Sequence, residues 1–408
     1  MLITLEVLAI QLKEFLMLNF TFYNPTKIIF GENQLLTLDN EIPKNKRILL
    51  VYGQNSIKIN GIYNQVKILL KDRVVFEFGG ISPNPKYSYL LKALSLIKNN
   101  EIDFLLAIGG GSVIDGTKFI AAAANFDGDP WDIPKMDPTT PVKMAPINSA
   151  LPFGCVLTMP ATGSEMNCGA VISADGPLAD KLCFGHELLY PQFSILDPTT
   201  TYSLPWKQTA NGIIDTFVHV TEQYLTYPVN AAIQDRFAEG ILATLIEEAP
   251  KILKDPNNYK ARANLMWCST CAGNGFINFG VPDDGATHYL GHEITALFNL
   301  DHGQTLAIIL PTLLNFKRDV KREKLLQYAQ RVWNITEGSD DEKIDQAISK
   351  TRGFFESLGV KTRLRDFNIN DTHIPKLIAQ LQRHHLSALG EHQDITLEHS
   401  ERIYRESL

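Results

Sequence analysis

The chain is poor in cysteine. Five Cys in 408 residues cannot build the dense disulfide framework of a small secreted domain. Cys268 and Cys271 have CxxC spacing, but no second CxxC accompanies them and the stretch is helical in pattern, so they read as structural thiols. Long apolar runs are missing too: none reaches the ~20 residues that cross a bilayer. Basic charge is in deficit, with 38 Lys+Arg against 45 Asp+Glu and a formal net charge of −7. That balance argues against nucleic acid or an anionic membrane as the main partner. Repeats and low-complexity tracts are absent. The opening residues, MLITLEVLAIQLKEFL, lack a basic n-region and a small-residue cleavage site, which argues against a signal peptide and points to the cytoplasm. Residues 1–16 read as an N-terminal extension or a misplaced start, because MLNFTFYNPTKIIFGENQ, from Met17, has the character of a domain start.

What is present is an ordinary globular composition, 45% hydrophobic and 20% charged, with enough length for two cores. Residues 17–202 alternate between strand-like runs (RILLVYG, RVVFEFGG, DFLLAIGGG, CVLTMPATGSE, QFSILDP) and helical ones. Such alternation predicts an α/β domain whose mainly parallel sheet is covered on both faces. From 203 to 408 helical periodicity takes over, which predicts an all-α domain, with a site expected in a cleft between the two.

Gly109-Gly110-Gly111-Ser112 lies between an apolar strand and a helix. Glycines let backbone approach a phosphate, and a helix N-terminus supplies free N–H groups and a positive dipole end. The run is not GxGxxG, so the usual dinucleotide fingerprint is missing. Thr158 to Glu165, TMPATGSE, offers hydroxyls and glycine after another strand. Tyr52-Gly53-Gln54-Asn55-Ser56 ends the first long strand without a carboxylate. An Asp or Glu there would bind a ribose 2′-OH and repel a 2′-phosphate. Its absence favours NADP(H), with NAD as the alternative, and makes Gln54, Asn55 and Ser56 candidate phosphate donors. Lys58 reads as a solvated surface residue.

Two pairs of metal-type residues follow. Asp215 and His219 are four apart and share one helical face. His288 and His302 sit in GATHYLGHEITALFNLDHGQTL, with His292 four residues after His288. Asp and neutral imidazole suit Zn²⁺ or Fe²⁺. HxxxH without the HExxH glutamate does not support a metalloprotease. His186, His373 and the pair His384-His385 lie in polar surroundings and read as solvent-facing.

Taken in order, PTKIIFGEN, FGGISPNP, AIGGGSVIDGTKFIAAAA, TMPATGSEMN, ILDPTTTYSLP, NGIIDTFVHVTEQY, GATHYLGHEITALF and LDHGQTLAIILP resemble the iron-containing alcohol dehydrogenase family, in its butanol dehydrogenase and NADPH-dependent aldehyde reductase branch. The resemblance covers about residues 17–315. It implies an N-terminal dinucleotide-binding domain, a C-terminal helical domain, and a dehydroquinate synthase-like architecture. It places one divalent metal on Asp215, His219, His288 and His302. His292 matches a family histidine near the metal that orients substrate or relays a proton. Gly109, Gly110, Gly111 and Ser112 match the pyrophosphate loop. Thr158, Thr162, Asn167 and Lys181 fall in the family's cofactor region, and Ser203 joins Gly53, Gln54 and Ser56 as a cofactor candidate. Gly53 stands where NAD-preferring members carry Asp. The implied reaction is hydride transfer between NADP(H) and a small alcohol or aldehyde, in a homodimer.

Departures from the family pattern are residues 1–16, a longer loop at 135–150, and Thr200 in place of a common Tyr. A glycerol or hydroxyacid dehydrogenase is the nearest alternative. A dehydroquinate synthase-like lyase needs clustered Lys and Arg near the metal, and 211–224 and 285–305 contain none. A non-catalytic binding protein is disfavoured because every ligand position is intact.

Overall fold

The structure is a computed structural model that describes residues 16–134, 143–176 and 180–408. The N-terminal extension, apart from Leu16, and residues 135–142 of the 135–150 loop lie outside them. The chain forms two compact units that do not follow chain order. One comprises Asn24–Gly212 with Lys251–Asn274; the other comprises residues up to Tyr23, Ile213–Pro250 and Gly275–Leu408.

The first unit is built on a parallel sheet. Its strands are β1 (Lys27–Phe30), β2 (Arg47–Tyr52), β3 (Val74–Phe78), β4 (Phe104–Gly110), β6 (Phe153–Met159) and β9 (Phe193–Leu196), in the order β1-β9-β6-β4-β2-β3. A side sheet joins β5 (Lys143–Met144), β8 (Lys181–Gly185) and β7 (Gly169–Ser173). Successive side chains of a strand point to opposite faces, and both faces of the main sheet are buried. Leu49, Val51, Leu105 and Ala107 join Leu90, Ile97, Ile114 and Ile120 on one face. Those partners come from α2 (Tyr87–Asn99) and α3 (Gly111–Ala123). Ile48, Leu50, Leu106 and Ile108 join Ile62 and Val66 of α1 (Ile62–Leu69) on the other. This double burial explains why the strands read as continuous apolar runs.

The second unit is helical. Its elements include α4 (Trp206–Tyr224) from Ile213 onward, most of α5 (Ala232–Lys254), α7 (Ala286–Phe298) and α8 (His302–Phe316). α8 is buried continuously from Gly303 to Leu314, as expected of a helix that is apolar all round. A two-residue ladder, Ala388–Leu389 with Ile395–Thr396, is the one addition to the helices among its described residues.

The change of pattern at 202/203 does not coincide with the boundary between units. The helix α6 (Tyr259–Gly273) packs with the sheet. Met266 enters the sheet core, Thr270 Oγ1 donates to Glu165 Oε1 at 2.6 Å, and Asn167 Nδ2 donates to the Gly273 carbonyl at 2.9 Å. A Cβ on Gly273 would lie 2.2 Å from the Thr162 carbonyl, so only glycine permits this approach. Periodicity reports that a segment is helical; it does not report which core the helix joins.

Candidate active site

α4 carries Asp215 and His219 one turn apart, α7 carries His288 at its third position, and α8 begins at His302. The four side chains converge. His219 Nε2 lies 3.4 Å from Asp215 Oδ1, and the Nε2 atoms of His288 and His302 each lie 3.6 Å from the same oxygen. Asp215 Oδ1 and His288 Nε2 are buried with no hydrogen-bond partner. Leaving such atoms unpaired is costly, so their convergence needs a further occupant. Two ligand atoms about 2.0–2.2 Å from one tetrahedral ion lie roughly 3.3–3.6 Å apart. The ligand atoms of Asp215, His219 and His288 all lie within 4.8 Å of one another, and with His302 Nε2 on the same carboxylate oxygen the donor set fits a divalent metal.

The electrostatics agree. Burial alone would raise the Asp215 carboxyl, but the His302, His219 and His288 rings outweigh it and hold it well below the usual carboxylate range. Burial, with the charge of His288, lowers His219 to about 4. Burial also works to lower His288, yet the Glu222 and Asp215 carboxylates raise it to about 10. One imidazolium thus stands in for the cation when the metal is absent.

Sequence reading missed Glu222. It lies on α4, seven residues after Asp215 and three after His219, so it shares their face. Its Oε2 hydrogen-bonds the His288 ring at Nδ1, and its Oε1 accepts the His288 backbone N–H at 3.1 Å. The motif DTFVHVTE holds the signal: a carboxylate one turn beyond the second ligand. His292 is buried beside the set, its ring 5.1 Å from that of His302 and 6.2 Å from that of His288. His384 departs from its expected solvent exposure. It is buried, and its Nδ1 bonds Glu293 Oε1 at 2.7 Å. The end of the helix Ile374–Arg383 turns it inward, whereas His385 is exposed.

In the sheet unit, the pairing of β4 with β6 slips between Gly109 and Gly110. Each glycine of the run is forced by close approach. A Cβ would lie 2.5 Å from Val113 at Gly109, 2.9 Å from Met159 at Gly110, and 2.7 Å from Thr162 Oγ1 at Gly111. α3 starts at Gly111 without a side-chain cap, and a helix start leaves its first N–H groups without intrahelical acceptors, the feature that suits an anion. Gly53, directly after β2, is different. A Cβ there meets only Ile81 O at 3.6 Å and Val113 Cγ2 at 3.7 Å, ordinary contacts, so packing does not demand glycine.

Other candidates fall into two groups. Gln54 and Ser56 are exposed beyond β2, Ser112 is half-buried, and Lys181 opens β8. Thr158 is buried near the end of β6. Ser203 accepts from Asn60 at 2.9 Å and lines a cavity of 330 Å³ with Thr199, Thr200 and Tyr202. The Asn167 amide, by contrast, is engaged structurally at both ends, by the Gly273 carbonyl and by Lys118. Lys118 is fully buried and also donates to Ser164 Oγ at 2.9 Å and the Gly169 carbonyl at 2.7 Å. Asp115, one turn earlier, accepts from Ser164 Oγ at 2.6 Å and the Val171 N–H at 2.9 Å. Lys58, expected to be solvated, is exposed but lies 5.1 Å above each of the Tyr52 and Tyr63 rings.

Residues 25–198 match the family description "Iron-containing alcohol dehydrogenase". Residues 209–408 match "Fe-containing alcohol dehydrogenase family, C-terminal". The chain belongs to the iron-containing alcohol dehydrogenase family. Membership makes it an NAD(P)-dependent oxidoreductase. It is 56% identical over 388 residues to the NADPH-dependent aldehyde reductase YqhD of Escherichia coli K12, covering 95% of this chain and 98% of that protein. It is 38% identical over 396 residues to NADH-dependent butanol dehydrogenase A of Clostridium acetobutylicum, covering 96% and 100%. The crystal structure of YqhD superposes with a TM-score of 0.93 at 55% identity, over 96% of this chain and all of that one. NADH-dependent butanol dehydrogenase A of Thermotoga maritima gives a TM-score of 0.89 at 31% identity, over 96% and 99%. Among the described residues of this iron-containing alcohol dehydrogenase, no helix is long and apolar enough to cross a membrane.

Proposed function

We propose that the protein reduces small aldehydes, or oxidises the corresponding primary alcohols, with NADP(H) and one divalent metal, Fe²⁺ or Zn²⁺. The convergence of three imidazole Nε2 atoms on the buried Asp215 Oδ1 carries this reading. When bound, the metal supplies a Lewis acid for the substrate oxygen and the nicotinamide supplies the hydride.

The chain's own residues do the rest. Asp215, His219, His288 and His302 hold the metal, and Glu222 holds His288. The carboxylate of Asp215 offsets part of the dipositive charge. His292 sits close enough to the set to give or take the substrate's proton. The N–H groups opening α3 hold the pyrophosphate, supported by Thr158, Thr162 and Lys181, with Ser203 at the adenosine end. Gly53, Gln54 and Ser56 leave room and donors for a 2′-phosphate. Lys321, a buried cation of the same unit, is held by Asp284 at 2.8 Å, Glu391 at 2.6 Å and the Leu225 carbonyl at 2.6 Å. The segments that carry the four ligand positions, 211–224 and 285–305, contain no Lys or Arg, which favours an uncharged substrate over the hydroxyacid and lyase alternatives.

We also propose a cytoplasmic homodimer. The five cysteines are free thiols, which suits a reducing compartment. Phe20, Phe22 and Tyr23 are half exposed, at 50%, 51% and 57%, beside exposed Phe237 and Phe276, a patch that suits a second copy. Light scattering of the purified chain tests the dimer. A substrate panel tests the function: NADPH oxidation is expected with butanal and other uncharged aldehydes. Faster turnover of aldehydes bearing a carboxylate or phosphate would sink the reading.

A further inference from the structure

Glu222 uses both oxygens on one residue. Oε1 accepts the His288 backbone N–H at 3.1 Å, and Oε2 meets the ring at Nδ1. His288 is the third residue of α7, so its N–H is one of the four that a helix start leaves without an intrahelical acceptor. A carboxylate from α4 therefore does two things. It satisfies the opening turn of α7, where negative charge is favoured. It also requires a proton on Nδ1, since a carboxylate in this position only accepts.

We infer that Glu222 is a positioning residue that keeps a proton on His288 Nδ1, so that Nε2, on the Asp215 side, is the nitrogen left to take the metal. The inference rests on the reading that a metal occupies the Asp215, His219, His288 and His302 set. α4 then supplies two ligands directly and dictates the chemistry of a third. Neutral imidazole carries one N–H, and the hydrogen bond made by one nitrogen decides what the other offers. His288 Nε2 is buried and has no hydrogen-bond partner, so it is the nitrogen free to exchange its proton for the metal.

Two substitutions of Glu222 should rank in the opposite order to that of a merely structural role. In Glu222→Gln the amide has one acceptor for two donors. The backbone N–H cannot change, so it keeps the amide oxygen. The amide NH₂ then faces Nδ1 and donates to it, which moves the imidazole proton to Nε2, towards the metal position. In Glu222→Ala the ring is released and remains free to adopt either tautomer. Glu222→Gln keeps shape and fold better than Glu222→Ala, yet binds metal worse.

The test is Zn²⁺ binding to the full-length metal-free protein, by competition with a chromophoric chelator, together with thermal melting of each variant without metal. Glu222→Gln is expected to lose about 10- to 100-fold in affinity, and Glu222→Ala less, while Glu222→Ala melts lower. ¹⁵N histidine spectra of the Zn²⁺-loaded wild type should show His288 with Nδ1 protonated. If Glu222→Ala weakens binding as much as Glu222→Gln, or if Glu222→Gln binds like wild type, the tautomer role is overturned. Should Glu222→Ala fail to fold, Glu222→Gln against wild type and the wild-type spectrum still decide. Failure of the wild type to bind Zn²⁺ or Fe²⁺ at all would remove the metal reading itself, and the inference with it.

Discussion

Asp215 Oδ1 and His288 Nε2 face each other across 3.6 Å inside the protein, and neither has a hydrogen-bond partner. A buried acceptor opposite a buried lone pair is repulsive unless a cation lies between them. A proton on His288 does this in the metal-free protein, and a divalent ion held by the same residues would do it on the proposed reading. Replacing His288 with Ala removes one of the converging nitrogens. Metal retention and turnover should be lost while NADP(H) binding persists, because the nucleotide elements belong to the other unit. Elemental analysis and cofactor fluorescence titration check this. Full metal content in His288→Ala would show the ligand assignment to be wrong.

Metal binding should release a proton. His288 stays protonated up to about 10 in the metal-free protein, because Glu222 and Asp215 outweigh its burial. At any pH below that value the metal displaces this proton, so affinity rises with pH. Calorimetry of Zn²⁺ binding in buffers of different ionisation enthalpy measures the release. A binding heat that is independent of buffer would contradict it.

Gly53→Asp should reverse cofactor preference. The new Cβ meets only ordinary contacts, so folding is expected to survive. The carboxylate would bind a ribose 2′-OH and repel a 2′-phosphate. A fall of at least about tenfold in kcat/KM for NADPH, equivalent to ~1.4 kcal/mol, with a gain for NADH, is the expected result of steady-state kinetics.

Gly111→Ala should act differently. Its Cβ would press within 2.7 Å of Thr162 Oγ1. Overpacking of this kind costs about 1–3 kcal/mol. It displaces the backbone that opens α3, so weakened affinity for both NADPH and NADH should accompany a lower urea midpoint.

Lys118→Met should be among the most destabilising single changes. It removes the hydrogen bonds of Lys118 to Ser164, Asn167 and Gly169 and the nearby cation that favours the charged form of Asp115, and leaving buried polar groups unpaired costs about 1–3 kcal/mol each. Adding Asp115→Asn should recover part of the loss in urea unfolding.

Much of this was legible in the sequence. Alternating apolar strands and helices give the parallel sheet, because double burial makes a strand uniformly apolar. DTFVHVTEQY places Asp215 and His219 on one face by helical geometry alone, and the structure brings their side chains to 3.4 Å. Other features depend on what folds against what. Glu222 reads as an ordinary helix-surface carboxylate until α7 brings His288 to it. Asn167 looks like a free polar side chain until Lys118 and Gly273 are seen to use it. His384 follows a polar run, yet lands on Glu293. The glycines at 109–111 resemble a phosphate loop; the structure adds that Val113, Met159 and Thr162 would exclude any larger residue.

The central claim is metal-dependent hydride transfer with a preference for NADP(H). The direct measurement is oxidation of NADPH and of NADH by the purified protein with butanal, before and after chelation and after Fe²⁺ or Zn²⁺ is restored. The account predicts NADPH oxidation that chelation abolishes and metal restores, with little activity on NADH. Turnover that survives complete removal of metal, or that runs on NADH alone, would contradict it.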